Sequence, residues 1–413
     1  MSNSTTLQRF TAGTGTLGRW STIAIGASIP VSTALDNLLL AVALLAWLVG
    51  AQYRAKLELA WTNPVYRAAL LLFAVLLFGT AYGDQAPGDA KLYLSKYTDL
   101  ALIPVLGWAF IAAANRARAL HMLAAGLAVV VLISCAIKIG LIPPNPWLRG
   151  TVESPVVFKL RLTHNILMAF AAFLFAWLAC AAATRNVRLV WITLGALAVA
   201  NIMLMVEGAT GYLALIALVL LFGWQRARFR GIAVAVGSAV CVIIVLSLVP
   251  GSFQMRIKNI IQELRHERVD RPASTSTGYR LEFYRNTLTL IQKHPLLGAG
   301  TGGFPAGYAD LVKDTGQTLS RNPHNEFMMI TVQTGMVGLA ALLWLLWQQW
   351  RYAPRLASPM ERGLAQGLVA MMLIVCMFNS PLLDHTEGLL YAWLTALLYA
   401  GLKSDAPVSA SSA

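Results

Sequence analysis

The sequence predicts an all-α, polytopic integral membrane protein. The prediction rests first on its high content of hydrophobic residues and its low content of charged residues. Of its 413 residues, 57% are hydrophobic and only 12% are charged, whereas soluble globular proteins carry roughly 25% charged residues. So few charges cannot cover the surface of a soluble protein of this length. The composition therefore excludes an ordinary soluble enzyme, a disordered chain and a nucleic-acid binder.

Apolar runs bounded by charged residues or prolines predict about twelve transmembrane helices, each near the ~20 residues that span a bilayer. The runs cover residues 18–33, 35–51, 64–82, 98–114, 119–141, 164–183, 187–205, 209–224, 231–249, 326–349, 363–380 and 387–402. Pro30 and Asp36 interrupt the hydrophobic region that contains the first two runs. The domain boundaries that follow are helices 1–9 in 1–249, a loop domain in 250–325, helices 10–12 in 326–403 and a disordered tail in 404–413.

The distribution of charge predicts the orientation. The chain carries 32 Lys and Arg against 18 Asp and Glu, and about half of these cations lie in the short loops on the side of the termini. Short cytoplasmic loops are enriched in Lys and Arg. Both termini are therefore predicted to be cytoplasmic, with the long segment 250–325 on the opposite side of the membrane.

The long segment holds the first candidate site residue. The pattern of 254–268, which includes Arg265, predicts an amphipathic helix. After a polar stretch, Ser276 and Thr277 are candidate N-caps for a second helix that ends at Lys293. Arg280 lies in its first turn, where a helix N-terminus and a guanidinium together favour an anion such as phosphate. A surface arginine paired with Glu282 is the alternative.

Two further motifs follow in the same segment. The glycine-rich residues 298–303 predict a tight loop beneath the site, which is also a possible source of backbone N–H groups for an anion. Asn322 is expected to cap the tenth span, with Pro323 first in the helix and His324 in its first turn. A helix N-terminus disfavours imidazolium, so His324 is a candidate general base. A histidine that only hydrogen-bonds the loop is the alternative.

These motifs together resemble the O-antigen ligase/polymerase (Wzy/WaaL) superfamily. The resemblance is carried by Thr277-Gly-Tyr-Arg280, His294-Pro-Leu-Leu-Gly298-x-Gly300, Pro323-His324-Asn325-Glu326 and Gly335-x-x-Gly338. It implies a GT-C-like fold whose loop domain is periplasmic and catalytic. It also implies His324 as general base, Arg280 as a pyrophosphate ligand, and a second phosphate-binding arginine before the sixth span. Arg161 is the best match for the latter, with Lys159 as the alternative.

Other polar residues are predicted to support His324, Arg280 and Arg161 in the site. They are Asn325, Tyr279, Tyr284 and Arg265. Glu207 precedes a Thr-Gly turn where related proteins often carry an arginine and this chain has Ala209; Glu207 is expected to hold a nearby arginine in place. Simple anchoring at the membrane interface is expected of the polar residues at the outer ends of other spans, which are Lys91, Lys96, Asp99, Asp384, His385 and Glu387.

The resemblance implies an inverting transfer of a glycan from undecaprenyl pyrophosphate in the bacterial inner membrane. The sequence has no Asp-x-Asp motif and no clustered His, Cys and Asp ligands, so no metal or other cofactor is expected. The preferred acceptor is the lipid A-core oligosaccharide, which defines a ligase. An O-antigen polymerase, a protein O-oligosaccharyltransferase and a lipid-linked glycan transporter (flippase) are the alternatives. A transporter is expected to have repeated halves with broken helices at mid-membrane, and the sequence shows no such symmetry.

Overall fold

A computed structural model describes residues 2–83, 85–143, 145, 147–248 and 276–402, and these residues form no β-strand. The all-α prediction is therefore confirmed. In chain order the helices are α1 (Ser2–Ser28), α2 (Thr33–Val49), α3 (Tyr53–Thr62), α4 (Pro64–Phe78), α5 (Pro87–Lys96), α6 (Thr98–Gly107), α7 (Ala113–Lys138), α8 (Arg161–Ala181), α9 (Arg185–Ala200), α10 (Ala209–Leu248), α11 (Ser276–Lys293), α12 (Phe304–Val312), α13 (Glu326–Tyr352), α14 (Pro359–Phe378) and α15 (His385–Tyr399).

The predicted spans correspond to helices, although their number is not confirmed. Every predicted run overlaps one of the helices above. Within the described residues, six helical segments are long and apolar enough to cross a membrane, and α2 with α3, bent by 115°, makes up to seven. The amphipathic helix 254–268 and the tail 404–413 lie outside the described residues.

The predicted break between the eighth and ninth runs falls inside α10. Ala227 and Arg228 have non-helical backbone angles. A Cβ added to Gly231 would lie only 1.9 Å from the carbonyl oxygen of Gly223. Residues eight apart in a straight helix are separated by about 12 Å. The two glycines therefore let the chain fold back on itself at this point.

The interior of the bundle is formed by α8 and α15. Every residue from 386 to 399 is buried, as are all residues from 163 to 175. A helix that is apolar on all sides belongs inside the protein. Polar contacts fix α15 there: the indole N–H of Trp393 donates to the carbonyl of Thr22 at 2.8 Å, and the amide of Asn63 donates to the carbonyl of Tyr399 at 2.9 Å.

Helix α13 is broken at Gly335, and the loop that follows α11 fills the break. Gly335 has φ 64° and ψ −160°. Beyond it, the Met336 N–H donates to the carbonyl of Pro295 at 2.9 Å, and the Ala299 N–H donates to the carbonyl of Val332 at 2.7 Å. Backbone groups freed inside a membrane must find partners within the protein. The glycine-rich loop supplies these partners.

The backbone N–H groups of this loop were expected to be available to an anion, but most of them donate to other groups of the protein. The Thr301 N–H donates to the carbonyl of Gly79 at 2.8 Å and that of Gly303 donates to Gly300 at 2.9 Å. The Gly302 N–H donates to the side-chain oxygen of Gln333 at 2.9 Å. Together with Ala299, these N–H groups are engaged by the protein itself, so the expectation is wrong for them. Their role is to hold the broken helix.

Gly335→Ala should destabilise the protein. The backbone angles at this position are almost exclusive to glycine and cost other residues about 1–3 kcal/mol. An added Cβ would also lie 2.1 Å from the carbonyl oxygen of Leu296. Thermal unfolding of the purified protein should show a clearly lower Tm. Gly237→Ala is the control, because nothing lies within 4 Å of the added atom there; equal Tm values for the two variants would contradict the role of the break.

Candidate active site

His324 lies in the loop that precedes α13, and hydrogen bonds shape that loop. Its backbone has φ 55°. The side-chain oxygen of Asn322 accepts the His324 N–H at 2.8 Å and the hydroxyl of Ser380 at 2.8 Å. This asparagine therefore fixes the loop to the segment between α14 and α15. A non-glycine residue with positive φ is a strained arrangement that often marks a functional site.

The predicted run 326–349 begins where the helix begins, but the predicted N-cap, Asn322, is wrong by three residues. The N-cap is Asn325, whose side chain accepts the Met328 N–H at 3.0 Å, and the helix begins at Glu326. Asn322 uses its side chain in the turn at His324 instead. His324 thus precedes the helix rather than lying in its first turn.

Burial is the main cause of the low proton affinity of His324. Burial lowers the pKa of its imidazole; the hydrogen bond with Asn379 acts in the opposite direction, the positive charge of Arg280 adds to the lowering, and the carboxylate of Asp384 opposes it. The ordinary pKa of histidine is about 6.5. The imidazole is therefore neutral at pH 7, which a general base requires.

Helix α11 presents an aromatic stack to this histidine. The ring of Phe283 lies nearly parallel to the His324 imidazole, with centroids 6.0 Å apart and 27° between planes. Tyr279 stacks on Phe283 in the same way, at 6.3 Å and 21°. Phe283 is buried whereas Tyr279 is 37% exposed. The stack holds the imidazole plane against α11 and ends in a tyrosine at the surface.

Tyr284 and Asn325 join α11 to the end of α14. The Tyr284 hydroxyl lies 2.7 Å from the carbonyl oxygen of Met377 and 3.2 Å from that of His324. The Asn325 amide also donates to the Met377 carbonyl, at 3.1 Å. Both residues therefore position the loop of His324, and the structure places these two candidate site residues beside it.

Arg280 lies one helical turn before Tyr284 and is half-buried. It is close enough for its charge to act on His324 and on Tyr284. The alternative pairing with Glu282 does not occur, because the carboxylate of Glu282 accepts the Thr318 N–H at 3.0 Å instead. Among residues that the structure describes, no hydrogen bond or ion pair engages the Arg280 guanidinium. It is available to an anionic ligand.

The two candidate cations before the sixth span differ in their surroundings. Lys159 is 7% exposed; its ammonium donates to the Thr33 hydroxyl at 3.0 Å and lies 3.9 Å from the carboxylate of Asp36. Arg161 is the first residue of α8 and is exposed. Within the described part of the chain, the guanidinium of Arg161 has no hydrogen bond or ion pair. Lys159 is thus engaged internally and Arg161 is free.

Glu207 lies beside the same end of α8. The carbonyl of its neighbour Val206 accepts a hydrogen bond from Asn165 at 3.3 Å, and Gly208 packs against the same asparagine. Glu207 is partly exposed. It forms no ion pair with any arginine that the structure describes, so its expected role in holding an arginine is not observed. The side chains of Arg265, Ser276 and Thr277 lie outside the described part of the chain.

Sequence reasoning missed the partners of the histidine. The Asn379 side chain acts on the His324 imidazole and raises its pKa, and its amide N–H donates to the carboxylate of Asp384 at 3.2 Å. The carboxylate of Asp384 raises the pKa of His324 as well. Asp384 therefore acts on the histidine and is not only an interfacial anchor; its sequence position at the end of a span gave no sign of this.

His385 and Glu387, which were also expected to be interfacial anchors, belong to a polar cluster. This cluster lies between the start of α8, which carries Arg161, and the region of His324. His385 lies 3.6 Å from the buried carboxylate of Asp36, which also faces Lys159. Glu387 is 5% exposed, and Thr163, two residues beyond Arg161, lies close enough to stabilise its carboxylate. The interfacial prediction for Glu387 is wrong, because α15 runs through the bundle interior. The cluster places the start of α8 at the same end of the bundle as His324.

Comparison with known proteins adds one match. Residues 194–343 match the Wzy_C family model, described as O-Antigen ligase. The matched segment contains Arg280 and His324, and it supports membership of the chain in the O-antigen ligase/polymerase superfamily. No curated protein matches the chain.

The pKa of His324 can be followed by its modification with diethyl pyrocarbonate, which reacts with neutral imidazole. Peptide mass spectrometry across pH 5–8 should give a midpoint below about 6.5, because burial favours the neutral form. Asp384→Asn should move the midpoint to still lower pH, since it removes the anion that favours imidazolium. Asp310→Asn, an exposed change on α12, should leave it unchanged. A midpoint above 6.5, or no response to Asp384→Asn, would contradict this account.

Proposed function

We propose that this member of the O-antigen ligase/polymerase superfamily is an O-antigen ligase. It is an inverting, metal-independent glycosyltransferase that moves O-antigen polysaccharide from undecaprenyl pyrophosphate to the lipid A-core oligosaccharide. The observation that carries the proposal is the neutral, half-buried His324 beside the unengaged Arg280, inside the segment that matches the O-antigen ligase family.

The proposed chemical step consists of one proton transfer to His324 and the departure of one leaving group, undecaprenyl pyrophosphate. An acceptor sugar hydroxyl gives its proton to the unprotonated ring nitrogen of the neutral His324. The hydroxyl oxygen attacks the anomeric carbon as the bond from that carbon to the pyrophosphate oxygen breaks. The bonding electrons leave with undecaprenyl pyrophosphate. Because the acceptor attacks directly, the configuration at the anomeric carbon inverts.

Two arginines are proposed to bind the pyrophosphate and to stabilise its negative charge as it leaves. Guanidinium groups bind phosphate oxygens in a bidentate manner, and preorganised cations stabilise charge that develops in the transition state. Arg280 and Arg161 are assigned this role because neither is engaged by a described residue. Lys159 is less suitable, since its ammonium is used by Asp36 and Thr33.

An apolar crevice offers a place for the isoprenoid tail of the donor. It has a volume of about 350 Å³ and lies between α8, α9 and α10, with walls that include Phe173, Trp191 and Phe222. From Arg161, α8 reaches the crevice at Ala172, about 16 Å along the helix axis. A lipid whose pyrophosphate binds Arg161 could extend its tail into this crevice.

The charge distribution supports a periplasmic active site in the bacterial inner membrane, with both termini cytoplasmic. Arg226, Arg228 and Arg230 lie at the reversal inside α10, Arg355 lies between α13 and α14, and Arg362 lies in the first turn of α14. Helix α13 begins beside His324 and ends just before Arg355, so the connection from α13 to α14 lies at the opposite end of the bundle. Cytoplasmic loops carry such cations.

Identification of the acceptor tests the proposal. Proteoliposomes that contain an undecaprenyl-pyrophosphate-linked glycan and lipid A-core should yield glycosylated lipid A-core. His324→Ala should abolish the product, whereas His294→Ala, an exposed histidine after α11, should retain it. Elongation of the lipid-linked glycan without use of lipid A-core would instead establish a polymerase. A peptide acceptor would indicate an oligosaccharyltransferase, and translocation without bond cleavage would indicate a flippase.

Arg280→Lys should lower kcat/KM by about tenfold or more, because lysine keeps the charge but loses the bidentate fork. Arg285→Lys is the matched control, since Arg285 is exposed on the same helix and should tolerate the change. Initial rates of transfer at several donor concentrations provide the measurement. Equal rates for both variants would remove Arg280 from the pyrophosphate site.

A further inference from the structure

A second cavity lies at the end of the bundle away from His324. Its volume is about 560 Å³, and it lies between α1, α2, α3 and the turn from α6 to α7. Helix α2 connects the two ends: Asp36 in its first turn belongs to the polar cluster of the active site, and Trp47 near its end lines the cavity. The 17 residues of α2 make it about 25 Å long. The cavity is therefore separate from the active site.

The cavity wall is cationic. Arg19 and Lys56 line it, and no Asp or Glu occurs among the described residues of the wall. Lys56 is only 4% exposed. Its ammonium donates to the carbonyls of Trp47, at 2.5 Å, and of Gly50, and lies 4.7 Å from the centre of the Trp47 ring. Burying an ammonium is costly, so its positive field at the wall favours an anionic occupant.

Hydrogen-bond donors on the wall add to this preference. The indole N–H of Trp47 is buried, and no described residue accepts it. Gln52, which also lines the cavity, is the N-cap residue of α3 and has φ 72° with no side-chain cap bond. The first N–H groups of a helix carry partial positive charge. An orphan donor, an uncapped helix start and two cations thus meet at one cavity.

The depth of the cavity matches the headgroup region of a bilayer. Helix α3 is bent by 115° from α2 and exposes Tyr53, Leu57 and Trp61 at 50%, 57% and 66%. Exposed aromatic and aliphatic side chains on a short helix beside a membrane span are typical of an interfacial helix. The remaining cavity wall is apolar and includes Ala46, Trp108 and Ile111.

We propose that this cavity binds the phosphate-bearing headgroup of an anionic glycerophospholipid. The phosphate contacts Arg19 and the indole N–H of Trp47 near the Lys56 ammonium, and the glycerol and first acyl carbons lie against the apolar wall. A free phosphate ion would use the cations and leave that wall uncovered. The proposal does not depend on the reaction at the opposite end of the molecule.

Native mass spectrometry of the full-length, delipidated protein tests this site. The probes are dioctanoyl phosphatidylglycerol, dioctanoyl phosphatidylcholine and inorganic phosphate. Phosphatidylglycerol should bind most strongly. Arg19→Gln should lower the affinity for phosphatidylglycerol by about tenfold, the loss expected for one charge-assisted hydrogen bond. Arg54→Gln is the matched control: it removes an exposed charge on α3 that does not line the cavity, and it should leave binding unchanged.

Trp47→Phe provides a second test, because it removes the indole N–H and keeps an aromatic ring. This substitution should also lower the affinity for phosphatidylglycerol. Unchanged binding in both Arg19→Gln and Trp47→Phe would overturn the site. Equal losses in Arg19→Gln and Arg54→Gln would show general surface attraction and overturn it as well. Inorganic phosphate that binds as tightly as phosphatidylglycerol would identify an anion site in place of a lipid site.

Discussion

The break in α13 at Gly335 is the constraint on which the candidate active site depends. Inside a membrane, the backbone groups freed by such a break must be satisfied by protein, and the loop after α11 does so through Pro295 and Ala299. The loop is thereby fixed against α13. Because α11 ends just before this loop and His324 lies just before α13, the same contacts bring Arg280 and Tyr284 to the histidine. A continuous α13 would leave the loop without this anchoring point.

The charged residues of the bundle divide into those engaged by the fold and those left free. Arg116 pairs with the buried Glu361 at 2.8 Å, and Lys159 faces Asp36 at the start of α2. A buried charge needs such a partner, since its desolvation is otherwise uncompensated. Arg280 and Arg161 differ from these because neither has a described partner, although both lie at the end of the bundle that carries His324. Guanidinium groups without a described partner are suited to a ligand that carries phosphate.

The segment between α14 and α15 surrounds the histidine with polar groups. Asn379 and Asp384 both act on the imidazole, and the Asn379 amide donates to the carboxylate of Asp384. Its backbone also takes part, because the carbonyl of Asn379 accepts the N–H of Glu326 at 3.0 Å. The segment between α14 and α15 thus supports the loop of His324 from the side opposite α11.

The sequence by itself determined the membrane class and the positions of the helices, because these follow from hydropathy. It also proposed His324 and Arg280 as site residues, from motifs of adjacent residues. It placed Asn322 as the cap and His324 inside the helix, since both asparagines of that loop are equally good caps by type. Only the tertiary structure decided which one caps, because Ser380 and the His324 N–H compete for Asn322. It also decided that Lys159 is paired whereas Arg161 has no partner among the described residues, and that Asp384 lies close enough to act on His324. These outcomes depend on contacts between residues tens to more than a hundred positions apart, and residue types along the chain do not encode such distances.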